Sequence, residues 1–258
     1  MTRDLLAFHA MRAVTSTSNP VLSNNFWSNI PGYETMSYEG TMQKIGVLFG
    51  ITILTALVTV SLGASGNLLA MALLSGIGFV GGLITALVMI FARPKNPAPG
   101  AICYALFEGM LIGGVSFVYE GAYSGIVLQA GLGTVCIIGV MYFLWSTKII
   151  KATPAFQAVV ITLTIGVFAM YMVSIVLSLF TNLGVPFLHS SGPLGILLTL
   201  FILGVASLNL ILDFHFIERG ISNNSPKSGE WWAAFGLLIT VIWVYFEMLR
   251  LLSKIRDQ

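Results

Sequence analysis

The sequence predicts an all-α membrane protein with seven transmembrane helices, and three observations carry that reading. Only 9% of the 258 residues are charged, while 57% are hydrophobic. A soluble domain carries about 25% charged residues, so this chain has too little charge to cover a surface that faces water. The mean hydropathy is +0.92, which means that lipid replaces water around most of the surface. Finally, the apolar residues are gathered into seven long runs separated by short connectors.

Residues 1–40 form a polar tail ahead of a transmembrane domain at 41–258. The opening MTRDLLAFHAMRAV has no continuous apolar stretch followed by a small-residue cleavage site, so the first span must itself act as the insertion signal. Residues 13–40 are rich in Ser, Asn and Pro, the composition of a surface-lying segment. A membrane helix needs about 20 mostly apolar residues. The runs that meet this are 43–63, 67–92, 100–119, 124–146, 155–180, 194–217 and 231–252. Breakers fill the connectors GASGN, RPKNPAP, EGAYS, STKIIKATP, TNLGVPFLHSSGP and ERGISNNSPKSGE.

Charge sets the orientation, because cytoplasmic loops retain Lys and Arg. With the N-terminus cytoplasmic, Arg3, Arg12, Lys44, Arg93, Lys95, Lys148, Lys151, Arg219 and Lys227 share that side, 9 of the 12 Lys and Arg residues. The three opposite connectors hold none. The last run does not fit: a full seventh span puts Arg250, Lys254 and Arg256 outside. Either the span is complete, as its length favours, or it re-enters, as its charges favour.

Gly78 and Gly82 in the second run, and Gly109 and Gly113 in the third, have the GxxxG spacing of closely packed membrane helices. Cys103 and Cys136 lie in apolar runs with no metal-ligand spacing, so zinc and redox chemistry have no support. No dense basic run marks a nucleic-acid binder. His189-Ser190-Ser191-Gly192 has a nucleophile and a base, but it reads as a turn before the sixth run, and the chain is expected not to be an enzyme.

Three acids lie inside the apolar runs, where insertion scales put a carboxylate at about +2.5 to +3.5 kcal/mol at a helix centre. Glu108 sits in YALFEGMLIGGVS, and nothing in its own helix neutralises it. It is either protonated or partnered on another helix. Asp213 sits in LNLILDFHFIE, with Asn209 one turn earlier and His215 close by. Glu247 has Arg250 three residues on and reads as a local pair near the interface. At about 1.5 Å per residue, Glu108 lies roughly 12 Å from the cytoplasmic end and Asp213 roughly 7 Å, whereas Glu247 lies roughly 24 Å away. Glu108 and Asp213 can therefore meet across a bundle and share a proton. Ionised, their hard oxygens suit a transient Ca²⁺.

The third run, YALFEGMLIGGVSFVYEGAYSGIVLQAGLGT, and LNLILDFHFIERG followed by EWWAAFGLLITVIWVYFEMLRLLSKIR resemble the Bax inhibitor-1 family. The EG…GxxS pattern and Asn19-Pro20-Val21 resemble its bacterial branch. The resemblance implies seven helices with the last surrounded by the other six. It implies a pH-sensitive calcium leak, in which aspartates on helices six and seven share a proton and an arginine on helix two latches the closed state. Asp213 matches the helix-six aspartate and Arg93 is the candidate latch. The helix-seven position falls at Thr240, so the second aspartate is absent. Glu247, two turns further along, and Glu108, at a similar depth, are the candidate substitutes.

The expected function is thus a pH-modulated cation leak, with Asp213, Glu108, Glu247 and His215 as gating candidates and calcium as cargo rather than a resident cofactor. The expected place is a bacterial plasma membrane, with the lipid bilayer as the first partner. The rival reading is a non-transporting regulator of membrane proteases or stress responses, which contacts membrane-protein partners through residues 1–40.

Overall fold

The computed structural model describes residues 34–181 and 190–258. The described residues form α1 (Tyr38–Ala64), α2 (Leu68–Ala92), α3 (Ala98–Ala122), α4 (Ile126–Ser146), α5 (Pro154–Thr181), α6 (Pro193–Ser222) and α7 (Gly229–Arg256). All seven are long and apolar enough to cross a membrane. Asn19-Pro20-Val21, His189 and most of the tail lie outside the described residues.

Local signals set the helix ends. The Ser37 hydroxyl accepts the Gly40 amide at 3.0 Å, so α1 begins at Tyr38, ahead of the first long apolar run. Asn67 caps α2 by accepting from the Ala70 amide at 3.2 Å. Gly125, at φ +80°, makes the tight turn into α4. At their shared connector, α6 and α7 run further than hydropathy predicts, because their outer turns are polar yet helical. Inside the apolar spans, hydroxyls are satisfied by the carbonyl four residues back. Thr52 bonds Leu48 at 3.0 Å, Thr134 bonds Ala130 at 2.8 Å and Ser207 bonds Leu203 at 2.7 Å.

Small residues seat α3 between α1 and α2. A Cβ on Gly78 would lie 2.5 Å from the Phe107 carbonyl oxygen, and one on Gly82 would lie 3.0 Å from Glu108 Oε1. On the other side, Gly109 meets Thr52 and Thr55 of α1, and Gly113 meets Ala56 and Thr59. Gly78, Gly109 and Gly113 therefore allow a backbone approach that a side chain would block, while Gly82 faces the Glu108 side chain.

The last helix is the centre of the bundle. It packs directly on α1, α3, α4 and α6. It reaches α5 through Trp243 and Tyr171, and α2 through the cluster that joins Met89 to Ala234, Phe235 and Leu238. The outer faces of α1, α2 and α5 present exposed Leu54, Leu57, Leu83, Ile84, Ile165 and Phe168, the apolar surface that a bilayer covers.

The seventh span is complete. At the near end of the bundle, where α1 starts, Glu230 of α7 accepts the Ser37 amide and hydroxyl, both at 3.1 Å, and pairs with Lys44 at 2.9 Å. At the far end, Arg256 donates to Ser124 O and Gln129 Oε1 of the α3–α4 region, each at 2.8 Å. The helix therefore crosses the bundle instead of folding back.

Candidate functional site

A cavity of about 790 Å³ opens near the end where α1 starts, between α2, α5, α6 and α7. Its polar lining is Arg93, Gln157, Asn209, Asp213, His215 and Arg219. Asp213 stands nine residues inside the end of α6, deeper than the shorter hydropathy run implies. Gly236 of α7 faces it: a Cβ there would lie 3.9 Å from Asp213 Oδ1. One turn further along α7, the Thr240 hydroxyl is within hydrogen-bonding reach of the Asp213 carboxylate. Asp213 Oδ2 is buried and has no hydrogen-bond partner among the described residues. The position where the resemblance expects a second aspartate thus does face Asp213, but it offers a hydroxyl.

The other lining groups are mostly engaged. Asn209 donates to Thr164 Oγ1 at 2.8 Å and to the Val205 carbonyl at 2.9 Å. Gln157 donates to the Ala152 carbonyl at 2.7 Å. His215 stands 3.8 Å from Glu218, which Lys148 also holds at 2.9 Å, so it sits at the rim of an ionic cluster. Arg93 ends α2 in the left-handed conformation, at φ 44°, and is exposed. Among the described residues neither Arg93 nor Arg219 is in an ion pair. The candidate latch shares a cavity with Asp213 without closing on it.

Glu108 lies elsewhere. It sits ten residues after the start of α3, at a depth like that of Asp213, but it hydrogen-bonds Tyr104 of its own helix and faces Gly82 of α2. Tyr104 packs edge-on against Phe235 at 5.0 Å, and Phe235 lines the Asp213 cavity. Two aromatic side chains thus link Glu108 to the cavity. Among the described residues α3 and α6 do not pack on one another, because α7 lies between them. Similar depth does not bring the two acids together.

Glu247 does pair with Arg250, at 3.5 Å, and the acid of the pair faces the bundle interior. Glu247 is only 3% exposed. It accepts from Tyr171 of α5 at 2.5 Å and from Trp243 Nε1 at 3.3 Å. Arg250 donates to the same Tyr171 hydroxyl and lies 5.0 Å from the centre of its ring. One turn on, the buried Lys254 donates to Thr199 Oγ1 at 2.9 Å and to the Gly195 carbonyl at 3.1 Å. Outside the spans, Asp257 accepts the Tyr123 hydroxyl and so holds that phenol above its ordinary pKa.

Sequence reasoning missed Tyr171, Glu230 and Lys254 as partners in these networks. Their signal was available, since a Lys in the last turn of an apolar helix needs acceptors, but the acceptors themselves came from other helices. Among the described residues, no three His, Cys, Asp or Glu side chains gather as a metal-binding group.

A family model described as Bax inhibitor 1 like matches residues 19–257, nearly the whole chain. No curated protein and no solved structure matched it. Seven membrane-length helices around a central last helix, and a match of that extent, agree with one another: the chain belongs to the Bax inhibitor 1 like family.

Proposed function

We propose that this membrane protein is a pH-sensitive cation leak, with calcium as its cargo, gated at Asp213. The observation that carries the proposal is the buried, unpartnered Asp213 Oδ2 in a cavity shared with Arg93. An ionised Asp213 attracts the Arg93 guanidinium across that cavity and closes it. Protonation removes the attraction, so leak rises as pH falls. Because Thr240 cannot hold a charge, one proton at Asp213 sets the switch rather than a proton shared by two carboxylates. Glu108 and Glu247 have their own partners and serve packing in this reading. No catalytic chemistry is assigned to the chain. The basic residues at the near end support a cytoplasmic N-terminus, and the bacterial branch resemblance supports a plasma membrane.

The test is calcium-dye flux into proteoliposomes across a pH series. Asp213→Asn mimics the protonated acid, so its leak should be high and flat with pH. An Asp213→Asn protein that keeps the wild-type pH response would remove Asp213 from the gate.

A further inference from the structure

The leak reading uses Arg93 and Asp213 of this cavity, but not Arg219 or the apolar crevice beside them. Among the described residues α2 packs directly on α1 and α3 but not on α5 or α6. A crevice therefore runs between α2 and α5, floored by α6 and α7, and opens sideways toward the hydrocarbon. Ile90 of α2, Ile161 of α5 and Phe216 of α6 flank it and are each about half exposed. At its near end stand Arg93 and Arg219, two guanidinium groups with no ion pair to a described residue. Trp232 lines the same space, and an amphipathic ring of this kind belongs at headgroup level. At about 790 Å³ the cavity is in the size range of small-ligand sites, about 300–1,000 Å³.

We propose that this cavity binds an anionic phospholipid, with its phosphate between Arg93 and Arg219 and an acyl chain in the crevice between α2 and α5. The two guanidinium groups outnumber Asp213, the one carboxylate among the lining residues, and leave a positive charge that an anion balances. Guanidinium is the group best matched to phosphate oxygens. The sideways opening and apolar flanks select a lipid over a soluble phosphate, since only a lipid can fill both parts of the space. Basic pockets between transmembrane helices at the cytoplasmic face are a known setting for such headgroups. The binding does not depend on the leak reading, because it needs the arginines and the crevice and not the titration of Asp213.

Native mass spectrometry of the full chain, released from nanodiscs of phosphatidylcholine with phosphatidylglycerol, reads the binding without any flux. The wild type should retain phosphatidylglycerol and not phosphatidylcholine. Arg93→Gln with Arg219→Gln should weaken retention at least about tenfold. Arg93→Lys with Arg219→Lys, which keeps the charge, should retain most of it. Millimolar inorganic phosphate should not displace the lipid. Equal retention by the double Gln variant, equal retention of phosphatidylcholine, or displacement by inorganic phosphate would each overturn the proposal.

Discussion

Gly109→Ala puts the packing of α1 on α3 to a direct test. The added Cβ would overlap Thr55 Oγ1 and the Thr52 carbonyl oxygen, and would stand 3.0 Å from Thr55 Cβ. The Thr55 hydroxyl cannot simply swing away without losing its bonds to the Ile51 carbonyl at 2.9 Å and the Thr52 carbonyl at 3.1 Å. The Thr52 carbonyl is backbone, so the two helices must part until carbon contacts return to about 3.5–4.0 Å. Overpacking of this kind costs about 1–3 kcal/mol. Alanine recovers about 1 kcal/mol through its helix propensity, which leaves a net loss of up to about 2 kcal/mol. The control is Gly139→Ala in α4, where nothing lies within 4 Å of the new Cβ. That variant should gain about 0.5–1 kcal/mol. The two are compared by thermal unfolding in one detergent, and the opposite signs make the comparison sharp. If Gly109→Ala unfolds at or above the temperature of Gly139→Ala, the close approach of α1 and α3 does not hold the bundle together.

Glu247→Ala should cost about 1–3 kcal/mol, because it strands the Tyr171 and Trp243 donors and leaves the partly exposed Arg250 without its acid. Glu247→Ala with Arg250→Met should recover part of that loss in the same unfolding assay, and no recovery would mean that the two charges are not coupled. Ser37→Ala should cost about 1 kcal/mol through the lost α1 cap. Glu230→Ala should cost more, since it also strands the Ser37 amide and Lys44. Hydrogen exchange over residues 38–42 should rise in both variants and rise further in the second.

The fold was legible because hydropathy and breaker residues act locally. The seven runs became seven helices, and the GxxxG pairs lie at the helix contacts that their spacing implied. What local patterns could not supply was the choice of neighbour. Counting put Glu108 and Asp213 toward the same end, but the polar outer turns of α6 place Asp213 nine residues inside its helix, deeper than the apolar run implied. Which way each faces depends on the order of the helices around α7, and that order put α7 between them. The basic residues Arg250, Lys254 and Arg256 argued for re-entry because a charge rule counts residues without their partners. In the structure Arg250 and Lys254 are held by groups inside the bundle, and Arg256 by groups at its far end. Charges tied up in this way behave as parts of the fold and not as loop charges.

The same distinction separates the two acids of the last helix pair. Glu247 Oε1 accepts from Tyr171 and Trp243, and Oε2, which has no hydrogen bond among the described residues, faces the Arg250 guanidinium at 3.5 Å. Such an acid repays its desolvation only while those partners remain, so its removal should be read in stability. Asp213 has the Thr240 hydroxyl on α7 for one oxygen, while its buried Oδ2 has neither a donor nor an opposite charge among the described residues. A buried carboxylate oxygen that lacks a hydrogen bond costs the fold about 1–3 kcal/mol. Replacing Asp213 with Asn removes the charge and keeps the shape, so stability should be unchanged or should rise by up to about 2 kcal/mol. Unfolding and flux measured on one preparation decide the matter. A stable Asp213→Asn protein with an altered pH response marks a residue kept for function at the expense of stability. A clear fall in stability would instead make Asp213 a structural residue like Glu247, and the gate would have to be sought elsewhere.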